Sequence, residues 1–311
     1  MATKNNINVN LYNGNNTSVP FVMVDYLDKD ANGHCALMMI DSCSEVNMLF
    51  KNMINHLCLK KIEIAGIHVI NGLGSEPQEV TDVELNFTLQ SMVCKETFSV
   101  CDIDYPQLYE YPVIGLLGND FLFKHKLALD YSDGTLHTSN INTSNLSLAD
   151  CEYFSPIDLT NKNYRLPVVS LKLNGKQIVA GVDSGATGNL IAKQAIDKSK
   201  VPFFSLGDGD TMVGSNGQVA TQMGIIPFST VSASEKGEKV IEAVAIFNII
   251  QDYIIPSQNM VGENEGQQVP PVEALLCSSF IASQGWILDF GACIIYKRKI
   301  KSCEKAKVKS A

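Results

Sequence analysis

Short apolar or alternating runs, separated by turn residues, recur along most of the chain. VPFVMVDYL (19–27), LPVVSLKL (166–173) and KQIVAGV (176–182) have the length and periodicity of β-strands, and Asn174-Gly175 marks a turn between the last two. FLFKHKLALDY (121–131) predicts a short helix followed by a strand. The Asn/Ser-rich residues 139–164 predict a polar connection, and the Pro/Gly-rich residues 254–271 predict a loop. The pattern is that of an all-β protein with two similar lobes.

Aligning the two halves shows a duplication. Asp41-Ser42-Cys43-Ser44 follows the apolar run ALMMI, and Asp183-Ser184-Gly185-Ala186 follows QIVAGV, an offset of 142 (183 minus 41). An asparagine stands six residues after each acid, Asn47 and Asn189, and apolar residues follow it. Gly72 and Gly214 each lie 31 residues beyond their acid. Residues 116–131 align without a gap on 275–290, where the offset has grown to 159. The additional residues of the second half fall in the 254–271 loop. Four landmarks in the same order predict an N-terminal lobe over 19–138, a linker over 139–164, a C-terminal lobe over 165–297 and a basic tail over 298–311.

At 311 residues the chain is long enough for two lobes around one cleft, and 45% hydrophobic against 18% charged residues marks it as globular. The net charge of -9 conceals an asymmetry: residues 297–311 carry seven Lys/Arg against Glu304, or +6, which leaves -15 for the rest. An acidic body is a poor nucleic-acid binder. No apolar run reaches membrane-spanning length, and no apolar signal core follows Met1. Nine cysteines without a CxxC pair fit a reduced, cytoplasmic chain.

An apolar strand ending in Asp-Ser places a carboxylate at the floor of a turn. If two such turns meet, the acids cannot both ionise comfortably, and the pair holds one proton over a wide pH range. Its ionised member can then activate water, and its protonated member can donate to a peptide carbonyl. Such chemistry needs no metal or other cofactor. Ser42 and Ser184 are placed to hydrogen-bond across the turns. Ser44 stands where the second half has Ala186, and its hydroxyl is expected to donate to Asp41. That makes Asp41 the more readily ionised acid and Asp183 the proton carrier.

DSGATGNLI (183–191), DSCSEVNML (41–49) and VIGLLGNDFL (113–122) together resemble the retropepsin-like aspartic peptidases. The resemblance covers about residues 19–296. It implies two acid-protease β-barrel lobes forming a single-chain pseudo-dimer with a central cleft. The catalytic pair would be Asp41 and Asp183, supported by Ser42, Ser184, Ser44, Cys43 and Gly185. Gly72, Gly74, Gly214 and Gly217 fall where the family has its substrate-binding flaps. An extended peptide or protein substrate is implied, with the monomer already complete as an internal pseudo-dimer.

The chain departs from the family pattern at three positions. Cys43 replaces the glycine of the first motif, Cys277 the glycine matching Gly118, and Ser279 the acid matching Asp120. Two functions therefore compete: an aspartic endopeptidase, and a catalytically silent module binding peptides or partners in the same cleft. Other motifs are weaker. Asp28-x-Asp30-x-Asn32-Gly33 resembles the start of a calcium loop, but Met39 occupies the position of its bidentate Glu, so a hairpin turn is expected. His34, His56, His68, His125 and His137 lack metal-site spacing and read as surface or packing residues.

Overall fold

A computed structural model describes residues 8–11, 18–28, 30–57, 64–70, 78–103, 110–139, 151–156, 166–209, 211–214, 217–219, 221–234, 237–251, 254, 258–259 and 268–298. In the first half, strands Phe21–Leu27, Gly33–Ile40, Val113–Leu117, Met48–Phe50, Met92–Cys101 and Gln78–Leu89 are neighbours in that order. Pairing of Gln78–Leu89 back onto Phe21–Leu27 closes them into a barrel, and Ile64–Ile70 attaches outside the closure. The second half repeats the order with Val168–Leu173, Lys176–Asp183, Val272–Cys277, Asn189–Ala192, Gly237–Ile250 and Gln222–Ser234. Its barrel closes between Gln222–Ser234 and Val168–Leu173, with Phe204–Asp208 attached outside. The fold is all-β with two closed six-strand barrels: the strand pattern predicted two β-rich lobes, and the family resemblance implied that each is a barrel.

Burial explains the two kinds of apolar run. Val168–Leu173 alternates between half-buried and buried positions, which suits a strand with one face on the core. The end of Gly33–Ile40 is buried without alternation. It pairs along one edge with Phe21–Leu27 and along the other with the parallel strand Val113–Leu117, and its unbroken burial shows that both of its faces are covered as well. Leu37, Met38 and Ile40 are fully buried there, each contributing roughly 1.5–3 kcal/mol of apolar burial. Lys176–Asp183 repeats this against Val272–Cys277. Both acid-bearing strands are thus buried staves of the barrel walls.

A third sheet joins the halves. Its order is Asn8–Asn10, Thr135–Thr138, Leu127–Asp130, Trp286–Asp289, Ile294–Arg298 and Cys151–Pro156. Helices Asn119–Lys124 and Ser278–Ser283 precede its two middle strands, giving the helix-then-strand order expected for residues 121–131. Two edge strands differ from the sequence reading. Asn8–Asn10 precedes the predicted lobe, and Cys151–Pro156 lies inside the segment read as a polar linker. Their backbone groups pair with strands distant in sequence, and edge positions do not demand an apolar pattern. Among the described residues, no helix is long and apolar enough to cross a membrane.

Candidate active site

Asp41 and Asp183 leave equivalent strands and enter equivalent turns. Cys43 and Ser44 donate their backbone N–H groups to Asp41 Oδ1 at 2.9 and 3.0 Å. Gly185 and Ala186 do the same to Asp183 Oδ1 at 2.9 and 3.0 Å. The two turns meet, and the two carboxyl groups are within hydrogen-bonding reach of each other.

Two serines clasp the turns together. Ser42 Oγ donates to Val182 O at 2.5 Å, and Ser184 Oγ donates to Ile40 O at 2.7 Å. Each oxygen also accepts from the other serine's backbone N–H, both at 2.8 Å. All four bonds cross between the lobes, and both serines are fully buried. The geometry requires a short side chain carrying both a donor and an acceptor, which a hydroxyl supplies.

Asn47 and Asn189 tie each turn to its own barrel. Asn47 Oδ1 accepts from Gly118 N at 3.0 Å, while its Nδ2 donates to Thr97 O at 3.2 Å. Asn189 Oδ1 accepts from Cys277 N at 2.9 Å, and its Nδ2 donates to Ile246 O at 2.9 Å. The common spacing marked these residues in the sequence, but only the structure shows their partners.

Burial governs the electrostatics. It pushes the Asp41 carboxyl above its ordinary range, against the opposing pull of the Cys43 and Ser44 N–H groups. Asp183 is pushed well above, first by burial and then by the neighbouring charge of Asp41. Both shifts act in the same direction, so the pair holds a proton above the ordinary carboxylate range, with the larger rise on Asp183. The expected role of the Ser44 hydroxyl is corrected, because its Oγ donates to Val46 O at 2.7 Å rather than to Asp41. Ser44 supports Asp41 through its backbone N–H, as Ala186 does for Asp183, so the side-chain difference does not make the acids unequal.

The motif glycine and its cysteine counterpart face different spaces. A Cβ on Gly185 would stand 2.6 Å from Asp41 Cγ and 2.7 Å from its Oδ2, so only glycine fits without displacement. Cys43 packs on a second-lobe cluster of Leu190, Ile250, Val272 and Leu275. Its Sγ would be 3.3 Å from a Cβ on Gly181, so Gly181 leaves room for it. Burial and the charges of Asp183 and Asp41 hold the thiol well above its usual pKa, which keeps it protonated. Behind the first turn, a Cβ on Gly118 would lie 2.7 Å from Ser44 O. Its counterpart Cys277 is buried, with Sγ 3.0 Å from Ser279 Oγ.

Gly214 pairs with Gly217 in a hairpin of Met212–Gly214 and Gly217–Val219. Gly72 and Gly74 lie outside the described residues. The Asp28 segment turns between Phe21–Leu27 and Gly33–Ile40, and Asp28 accepts from the N–H groups of Asp30 and Asn32. Among the described residues no group of His, Cys, Asp and Glu is arranged to hold a metal ion. His34 and His125 sit against Asp28 and Glu96.

No protein-family model matches the chain, and neither does any curated protein sequence. Solved structures do match over nearly the full length. An aspartic proteinase from Irpex lacteus superposes with a TM-score of 0.52 at 12% identity, covering 95% of this chain and 98% of that one. Basic 7S globulin from soybean gives 0.51 at 11% identity, covering 94% and 96%. Identities this low carry the fold and nothing further: the chain has a two-lobed, all-β, aspartic-proteinase-like fold.

Proposed function

We propose that the chain is an aspartic endopeptidase, a retropepsin-like single-chain pseudo-dimer, with Asp41 and Asp183 as its catalytic pair. The observation that carries this reading is the meeting of two identically hydrogen-bonded acid turns. Ionised Asp41 takes a proton from water as the water oxygen attacks a peptide carbonyl. Asp183 gives its proton to the carbonyl oxygen, producing a neutral tetrahedral diol. Collapse of the diol breaks the C–N bond, with a proton passing from Asp41 to the leaving nitrogen and one hydroxyl proton returning to Asp183. An extended peptide suits a cleft between two barrels, where main-chain hydrogen bonds give affinity and alternate side chains enter pockets.

The fold alone does not decide between catalysis and binding, since one matching structure is described as a proteinase and another as a globulin. The buried acids favour catalysis, because an idle pair of carboxyls costs stability without return. Cys43 does not oppose it, since the side chain packs on the second-lobe cluster. Peptide-library cleavage by wild type, Asp41→Asn and Asp183→Asn tests the reading. Cleavage by wild type alone is expected. Activity surviving either substitution sinks the dyad, and no wild-type cleavage from acid to neutral pH favours the silent binding module.

A further inference from the structure

Tyr131 follows the strand Leu127–Asp130 of the shared sheet, and in the ungapped alignment of the halves it matches Phe290. Phe290 crosses into the first lobe, where its ring meets Phe123 edge-on at 5.2 Å between centroids. Tyr131 makes the reciprocal crossing: its phenol lies within hydrogen-bonding reach of Ser184 of the second lobe, and within electrostatic range of Asp183, Cys277 and Asp41. The two aromatic positions differ by a single hydroxyl oxygen. That oxygen is enclosed and completes no hydrogen bond of good geometry. Burial, then the charge of Asp183, holds the phenol well above its usual pKa, so it remains a donor.

A buried unpaired hydroxyl costs stability that a phenylalanine at the same place does not. Phe290, 1% exposed, shows that a bare ring fills the equivalent position. The group facing Tyr131 also has capacity to spare. Ser184 Oγ donates to Ile40 O and accepts from Ser42 N, which leaves it one further acceptor position. The unpaired Tyr131 O–H and this open acceptor position are within hydrogen-bonding reach of each other.

We propose that Tyr131 is a positioning residue for Asp183: its hydroxyl donates to Ser184 Oγ beneath the acid turn, and its dipole supports the charge that Asp183 acquires on giving up its proton. The inference rests on the peptidase reading for its purpose, though not for its test. The hydroxyl, which the second half lacks at Phe290, offsets part of the rise that burial and the charge of Asp41 impose on Asp183. The titratable groups facing this position are Asp41, Asp183 and Cys277, with Cys43 beside the two acids.

The sign follows from the charge. Removing the hydroxyl leaves ionised Asp183 less supported, so its pKa rises and the singly protonated pair persists to higher pH. Tyr131→Phe is expected to move the basic limb of kcat/KM upward by about half a pH unit or more, with KM and the acidic limb unchanged. Phe290→Tyr is expected to leave the basic limb in place. A merely packed ring would move neither limb. Carboxyl 13C titration of Asp183 in wild type and Tyr131→Phe reads the same shift without any substrate. An upward shift in a protein that cleaves nothing supports the role of Tyr131 and sinks the peptidase reading. An unchanged Asp183 titration overturns the role of Tyr131, whatever the activity.

Discussion

Replacing Ser184 with alanine removes one oxygen and two bonds that cross between the lobes. Ser184 Oγ donates to Ile40 O at 2.7 Å and accepts from Ser42 N at 2.8 Å. Ile40, Ser42 and Ser184 are all fully buried, so water cannot replace the lost partner. An N–H and a C=O left unpaired in such a place cost about 1–3 kcal/mol each. The total of roughly 2–6 kcal/mol is a large part of a typical folding stability of about 5–15 kcal/mol. Equilibrium urea unfolding measures it: Ser184→Ala should lower the midpoint while the slope stays constant. Ser229→Ala is the control, because its hydroxyl bonds Glu242 at an exposed site and its loss should cost about 0.5 kcal/mol or less. A Ser184→Ala protein as stable as this control would refute the clasp.

The raised pKa of Asp183 has a consequence for stability. A carboxyl raised on folding contributes stability that is fully present below its unfolded pKa and is lost as pH rises through its folded pKa. Asp183→Asn should therefore be the more stable form at neutral pH and show a flatter dependence on pH. The wild-type loss has a ceiling of about 1.4 kcal/mol per pH unit for one proton. Parallel melting-temperature curves from pH 4 to 7 would contradict it. Gly185→Ala sets a Cβ 2.6 Å from Asp41 Cγ, so it should destabilise by about 1–3 kcal/mol. Displacing Asp41 should also lower kcat/KM on the order of a hundredfold, and wild-type cleavage rates would show that no such contact forms.

Much of the fold could be read from local pattern, because local pattern reports burial. Continuous apolar runs before each Asp-Ser marked the buried strands of the barrel walls that carry the acids, and the gap-free match of residues 116–131 to 275–290 marked the helix and strand behind each acid. The strands Asn8–Asn10 and Cys151–Pro156 were not legible. They sit at the two edges of the shared sheet, where distant backbone partners rather than apolar side chains hold them. Ser44 was misread for a related reason. The sequence places its hydroxyl near a carboxylate, and the turn's conformation directs it to Val46 O.

The candidate site divides along the same line. By itself the sequence determined that the chain is a duplication, that each half carries an acid after a buried strand, and that position 43 departs from its glycine counterpart. Composition and spacing are properties of the chain alone, so they were available without a fold. Only the tertiary structure decided that the two serines clasp across the lobes, that the Cys43 side chain packs on the second-lobe cluster, and that the buried Tyr131 phenol comes within reach of Ser184 in the opposite lobe. Each of these depends on how one barrel is placed against the other. That placement is set by the shared sheet and by packing between residues more than a hundred positions apart, which no local pattern encodes.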